Sequence, residues 1–183
     1  RPSFFSGWGI RTLAREERRY NPMSYHNGSI WPHDNALLAR GLAKIGAKAG
    51  IVEIFEALMR AASYLDQRRI PELYCGFRRR RGRSPTLYPA ACSPQAWAAA
   101  APFSLIQSML GLEFRPRDAE IRLNNPVVPP IAGAITLRNV VLGNASADFT
   151  VRPSAGGVAL DVLRTRGNLR ISLVVDRSPE ARR

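Results

Sequence analysis

The periodicity of the chain changes at Gly111, and that change restricts it to a fold with helices and strands in separate layers. From Asp34 to Ile45 the apolar positions Ala36, Leu37, Leu38, Leu42 and Ile45 recur at helical spacing, and Asp34 can cap the start. A second helix is expected from about Ala49 to Gln67, with Ile51, Ile54, Phe55, Leu58, Ala62 and Leu65 on one stripe. Gly46 and Gly50 mark the break between them, so the two make a helical hairpin. Ser93-Pro94 opens a third helix through Trp97, Ala101, Leu105 and Met109, with Pro102 expected to kink it and Gly111 to stop it. Trp97 lies on that stripe and is expected in the core.

After Gly111, Pro116, Pro126, Pro129 and Pro130 interrupt short β-prone runs. Residues 135–142, 147–152, 158–163 and 169–175 alternate as half-buried antiparallel strands do, and turn signals at Gly143-Asn144, Gly156-Gly157 and Gly167-Asn168 separate them as in hairpins. The expected division is a helical part at 1–114 and an antiparallel β module at 115–183. Helix pairs joined by long loops are how an α/α toroid is built, and three helices are too few to close one. The chain starts at Arg1 rather than Met, so it is expected to be the C-terminal portion of a longer protein, with most of such a barrel upstream.

Net charge is +13, which raises nucleic acid or an anionic membrane as partners. The distribution argues against both. Of the 27 basic residues all but Lys44 and Lys48 are arginines, scattered along the chain, and the one true cluster, Arg78 to Arg83, reads as a solvated loop. No apolar stretch reaches the roughly 18 residues needed to span a bilayer. Cys75 and Cys92 read as free thiols in a reducing, cytoplasmic setting. His26 and His33 lack partners at metal-ligand spacing, so no metal is expected, and no cofactor either.

Residues 20–35 fit neither helix nor strand and combine aromatics, amides, imidazoles and a carboxylate. Such a mixture suits a polyhydroxylated ligand, because hydroxyls bond to the polar groups and sugar C–H faces stack on the rings. Trp31, Trp8 and Trp97 are candidate platforms, and Tyr25, His26, Asn27 and His33 candidate partners of hydroxyls. Arg11 could bond a sugar hydroxyl or anchor a loop carboxylate. Asp34 has a binding or structural role, Gln95 faces the loop end of the third helix, and Gly7 and Gly28 serve turns. Glu72, on its own, reads as a surface glutamate paired with a nearby arginine.

Two further segments stand out, Pro71-Glu72-Leu73-Tyr74-Cys75-Gly76-Phe77 and Tyr88-Pro89-Ala90-Ala91-Cys92-Ser93-Pro94-Gln95-Ala96-Trp97. With Ser6-Gly7-Trp8-Gly9-Ile10-Arg11-Thr12-Leu13 and the 20–35 loop, they make residues 3 to about 114 resemble the amylo-α-1,6-glucosidase, or glycogen-debranching-like, family. The resemblance implies a mainly α six-hairpin (α/α)6 glycosidase toroid, related to trehalases and mannosylglycerate hydrolases, that inverts the anomeric centre of an oligosaccharide or glucan at α-glucosidic bonds. Inversion needs two carboxyl groups, one protonating the leaving oxygen and one deprotonating water. The resemblance makes Glu72 the general base and puts the acid on an aspartate upstream of Arg1. The alternatives are a carbohydrate-binding protein without catalysis and a hydrolase of trehalose-like or mannosylglycerate-like substrates.

Overall fold

The structure, a computed structural model, describes residues 3–176. It contains three α-helices, α1 (Pro32–Lys44), α2 (Lys48–Ala62) and α3 (Ala96–Leu110), and six strands. The strands are β1 (Leu112–Arg115), β2 (Glu120–Asn124), β3 (Ile135–Leu142), β4 (Ala145–Ser154), β5 (Gly157–Arg166) and β6 (Arg170–Val174). Helix and strand therefore take comparable shares, and the expected mainly α toroid is not what the described residues form. One helical hairpin and a third helix share the chain with two three-stranded sheets, ordered β1-β2-β6 and β3-β4-β5. Long-range contacts divide the chain into two compact units, and the division falls between Ile106 and Gln107, inside α3.

In the first unit, α1 starts earlier than expected. Its N-cap is Trp31 rather than Asp34, and no side chain caps it. Pro32 holds the first helical position, where its fixed φ suits the helix and its missing N–H costs nothing, so Asp34 falls in the first turn instead. There its charge complements the helix dipole.

The buried face of α1 also differs from the apolar stripe. Asn35, Ala36 and Ala39 are buried, whereas Leu37 and Leu38 are 58% and 46% exposed. The cause is Asn35. Its Oδ1 accepts from the Ile10 N–H at 2.7 Å, and its Nδ2 donates to the Ile10 and Trp31 carbonyls at 3.0 and 2.9 Å. The side-chain amide thus imitates a strand partner for the 8–11 segment, which fixes the rotation of the helix.

Helix α2 buries Ile51, Ile54, Leu58 and Ala61 along one face, as its spacing requires. It ends at Ala62, short of the expected Gln67, which lies with Arg68 at positive φ in a separate short 3-10 turn. Helix α3 starts at Ala96 rather than Ser93, runs through Pro102, and buries Ala98, Ala101 and Leu105. Gly111, at φ +57°, follows its end.

The long 70–92 connection is held by backbone pairing. Isolated antiparallel bridges link Arg11 to Ile30, Ile30 to Tyr74 and Tyr74 to Leu87, so four segments lie side by side although none is long enough to be a strand. Ile30, Leu73 and Tyr74 are fully buried beneath them. Gly76 is needed for this approach, since a Cβ there would strike the Gly28 carbonyl.

The second unit departs from the expected run of hairpins. Strands β3, β4 and β5 form a meander, with Ala145, Ala147, Phe149 and Val151 buried in strict alternation along β4. Strand β6 does not continue it. It pairs in parallel with β2, and β1 and β2 come from a stretch in which no strands were expected. Glu120, almost fully buried at the start of β2, explains part of that arrangement. Its Oε1 accepts from Ser172 at 2.6 Å and lies 3.4 Å from Arg170, while its Oε2 lies 2.9 Å from Arg122. The Ser172 bond, helped by the two arginines, holds its carboxyl below the usual range despite burial, so a charge ties β6 to β2.

The Tyr74 hydroxyl is buried with no hydrogen-bond partner among the described residues, and burial pushes its ionisation up. Tyr74→Phe is therefore expected to leave stability unchanged or raise it by up to about 1 kcal/mol. Ile30→Ala, by contrast, should cost about 2–5 kcal/mol through cavity formation. Urea unfolding measures both, and a Tyr74→Phe loss beyond about 2 kcal/mol would show that the hydroxyl is paired.

Candidate functional site

The backbone bridge between Ile30 and Tyr74 is reciprocal, with Ile30 N–H donating to the Tyr74 carbonyl at 2.9 Å and Tyr74 N–H to the Ile30 carbonyl at 3.0 Å. It brings Trp31, one residue along, and Glu72, two residues back, to the same place. Glu72 is fixed further by its own N–H, which donates to the Cys92 carbonyl at 2.9 Å. Its residue is 8% exposed, so the carboxylate is largely withdrawn from solvent.

Three donors converge on that carboxylate. The Tyr25 hydroxyl donates to Oε1 at 2.5 Å, the Cys92 N–H to Oε2 at 3.2 Å, and the Gln95 amide adds a third bond. Together they hold the Glu72 carboxyl below the usual carboxylate range, the Tyr25 bond counting most, with burial opposing and His33 adding a small favourable field. The same bond, with burial behind it, pushes the Tyr25 hydroxyl up to about 12, so at neutral pH the phenol stays a donor and the carboxylate an acceptor. No arginine pairs with Glu72 among the described residues, which removes the surface ion-pair reading.

Rings enclose this group. Tyr25 meets Trp31 edge to face at 4.8 Å and Tyr88 at 5.5 Å, and His26 stacks on Trp31 at 5.8 Å with 6° between planes. His33 meets Trp31 edge on and stacks on Trp97 at 4.4 Å. The Trp31 indole N–H is shared between the Ser29 hydroxyl at 2.9 Å and the Tyr25 carbonyl at 3.1 Å, which sets the ring's orientation. His33 Nε2 lies 3.1 Å from Asp34 Oδ1. Two buried polar atoms beside Glu72, His33 Nδ1 and Gln95 Oε1, have no partner among the described residues.

Of the residues singled out in the sequence, Tyr25, His26, Trp31, His33, Glu72 and Gln95 fall into this one cluster, and Asp34 joins it through His33. Asn27 is exposed on the adjoining turn, its N–H capped by the Ser24 hydroxyl. Two others lie in packing roles. Trp8 is buried, edge-on to Tyr64 at 5.8 Å with the Arg79 guanidinium 5.7 Å above its ring, so it is no open sugar platform. Arg11 is buried too. It donates to the Gly76 carbonyl at 2.6 Å and to the Ser3 carbonyl at 3.2 Å, so it braces backbone and pairs with no loop carboxylate among the described residues.

The structure adds Tyr88, Cys92 and Asn35, which sequence reasoning passed over, and it decides between the two readings of Trp97. Trp97, expected in the core, is 53% exposed and stacks on His33. Tyr88 and the Cys92 backbone complete the wall around Glu72, and Asn35 docks the 8–11 segment. Spacing alone gave no signal for Trp97, which lies four residues before Ala101, whereas in the structure the buried face runs through Ala98, Ala101 and Leu105 and leaves residue 97 a step off it.

Residues 1–84 match the family model described as the mannosylglycerate hydrolase MGH1-like glycoside hydrolase domain. The match includes Tyr25, Trp31, His33 and Glu72, while Tyr88, Cys92, Gln95 and Trp97 lie beyond it. It supports a glycoside hydrolase domain, and with it a carbohydrate substrate, without singling out a debranching enzyme. A search of curated proteins returns no match.

The two thiols provide a check on this geometry. Cys92 is exposed, whereas Cys75 is buried and its thiol is pushed up by burial. The thiolate is the reactive form, so the native chain should take up one equivalent of a maleimide, at Cys92, and two after denaturation. Mass spectrometry of the labelled chain reads the site, and fast native labelling of Cys75 would contradict the packing described.

Proposed function

We propose that this chain carries the water-activating half of an inverting glycoside hydrolase, with Glu72 as the general base. The observation that carries the reading is the Glu72 carboxylate, withdrawn from solvent yet kept ionised by Tyr25, the Cys92 N–H and Gln95. A base must be deprotonated and aimed before water arrives, and three fixed donors achieve both. In the proposed step, a Glu72 oxygen takes a proton from water as that water attacks the anomeric carbon and the glycosidic bond breaks.

The wall of rings suits a sugar. Trp97, 53% exposed, offers a face for C–H stacking with the buried Trp31 behind it as support, and His26, Asn27 and Gln95 offer groups for hydroxyls. The reaction also needs an acid to protonate the leaving oxygen. Asp34 is engaged by His33 and assigned to orienting that ring, so the acid is a carboxyl other than Asp34.

For the substrate, the family match favours a small glycoside such as mannosylglycerate. The resemblance of the Pro71–Phe77 and Tyr88–Trp97 segments to debranching enzymes favours α-glucosidic linkages. A panel of mannosylglycerate, trehalose, maltooligosaccharides and branched glucan separates the two. Glu72→Gln should lower turnover on the accepted substrate by roughly 10²–10⁴-fold while leaving binding within a few-fold. Undiminished turnover in that variant refutes the assignment of the base. These assays are made with the acid-bearing part of the protein present, and there saturable sugar binding with no turnover of any substrate would instead favour a carbohydrate-binding role.

A further inference from the structure

Of the arginine run at 78–83 the fold uses Arg79, over the Trp8 ring, while Arg78, Arg80 and Arg83 have no part in the Glu72 site. Read as sequence the run is a solvated loop, but its backbone is not free. Cys75 N–H donates to the Thr86 carbonyl at 2.9 Å and Arg79 N–H to the Ser6 carbonyl at 2.8 Å, which pins the run at its base and along its side. Between them, Arg83 N–H reaches the Arg80 carbonyl at 3.3 Å, with Gly82 at φ +69° making the turn.

That turn folds the run back on itself. Arg78, Arg80 and Arg83 line one cleft of about 540 Å³, along with Phe77 and the Ser84 and Thr86 residues, above the buried Trp8. No carboxylate lines this cleft, and none of the three arginines has an ion-pair partner among the described residues. The contrast with the neighbouring cleft is useful. That one shares Arg78 but also contains Glu16 and Glu53, so its arginines face carboxylates of the chain itself.

Three arginines thus line a cleft that has no carboxylate in its lining, and an oxyanion entering it is attracted by their charge and can accept their forked N–H groups. The volume lies within the range of small-molecule sites. Phe77, 40% exposed, offers an apolar edge for the organic part of a ligand. We infer that this cleft is a binding site for a small phosphate monoester, its dianion held by Arg78, Arg80 and Arg83 and its organic part set against Phe77. A dianion is preferred over a carboxylate because the lining carries three cations and no anion. The site is separate from Glu72 and does not rest on the hydrolase reading.

Calorimetric titration of the full chain with glucose 6-phosphate, inorganic phosphate, glucose and a short oligothymidylate tests it. The expected result is saturable one-to-one binding of glucose 6-phosphate, weaker binding of phosphate and none of glucose. Replacing Arg78, Arg80 and Arg83 together by Gln should weaken the sugar phosphate at least 30-fold, and Ser84→Asp alone about tenfold, as expected for charge-assisted bonds. Glu72→Gln should leave this affinity unchanged. Absence of saturable sugar phosphate binding, an affinity in the folded triple variant within threefold of the unaltered chain, or preferential oligothymidylate binding would each overturn the proposal, the last in favour of a nucleic-acid surface.

Discussion

The reciprocal pairing of Ile30 with Tyr74 is the constraint from which the site follows. Two backbone hydrogen bonds, each worth about 1 kcal/mol net, join segments more than forty residues apart in sequence. Their position matters more than their strength. Because Ile30 precedes Trp31, the N-cap of α1, the pairing fixes the helix start and the indole together. Because Tyr74 follows Glu72 by two residues, the same pairing sets the carboxylate on that side. Asn35 and Arg11 brace it, one holding the Ile10 backbone and the other the Gly76 carbonyl.

Much of the helical framework was legible in the sequence, since α2 shows a clear stripe and Gly111 stops α3. The strands of β3 to β5 were legible from their β-prone runs and glycine-rich turns, although only β4 alternates strictly and both of its pairings carry a register shift. Other features depended on partners that no local window contains. The pairing of β2 with β6, some fifty residues on, was not anticipated, since it is parallel and tied by the buried Glu120, whereas the β1–β2 pairing is local and falls in a short proline-interrupted stretch. Asp34 looked like a cap because its residue type fits one, yet Pro32 had already started the helix. The fold class failed for a broader reason: it was inferred from a resemblance covering the helical part, while the β strands contribute as much of the structure as the helices do.

The site was legible in its members more than in their roles. The 20–35 loop announced polar and aromatic groups suited to a sugar, and most of them do gather around Glu72. Trp8 and Arg11 share the chemistry of that group but not its location, because both are drawn into the packing of the 3–11 segment. Trp97 shows the opposite error, as helical spacing alone cannot tell a core stripe from an adjacent one when alanines make up most of the choices. The mutual dependence of Tyr25 and Glu72 could not be read from sequence, being a contact across forty-seven positions.

That contact is where the account is most exposed. Below its depressed pKa the Glu72 carboxyl gains a proton and the base is lost, so the function proposed is present above that pKa and disappears as pH falls through it. The most direct measurement is the pH titration of the Glu72 carboxyl carbon by NMR, in the unaltered chain and in Tyr25→Phe. The account predicts a midpoint below the ordinary glutamate value of 4.5, moving upward when the Tyr25 hydroxyl is removed. A midpoint at or above 4.5 in the unaltered chain, or one indifferent to Tyr25→Phe, would contradict it.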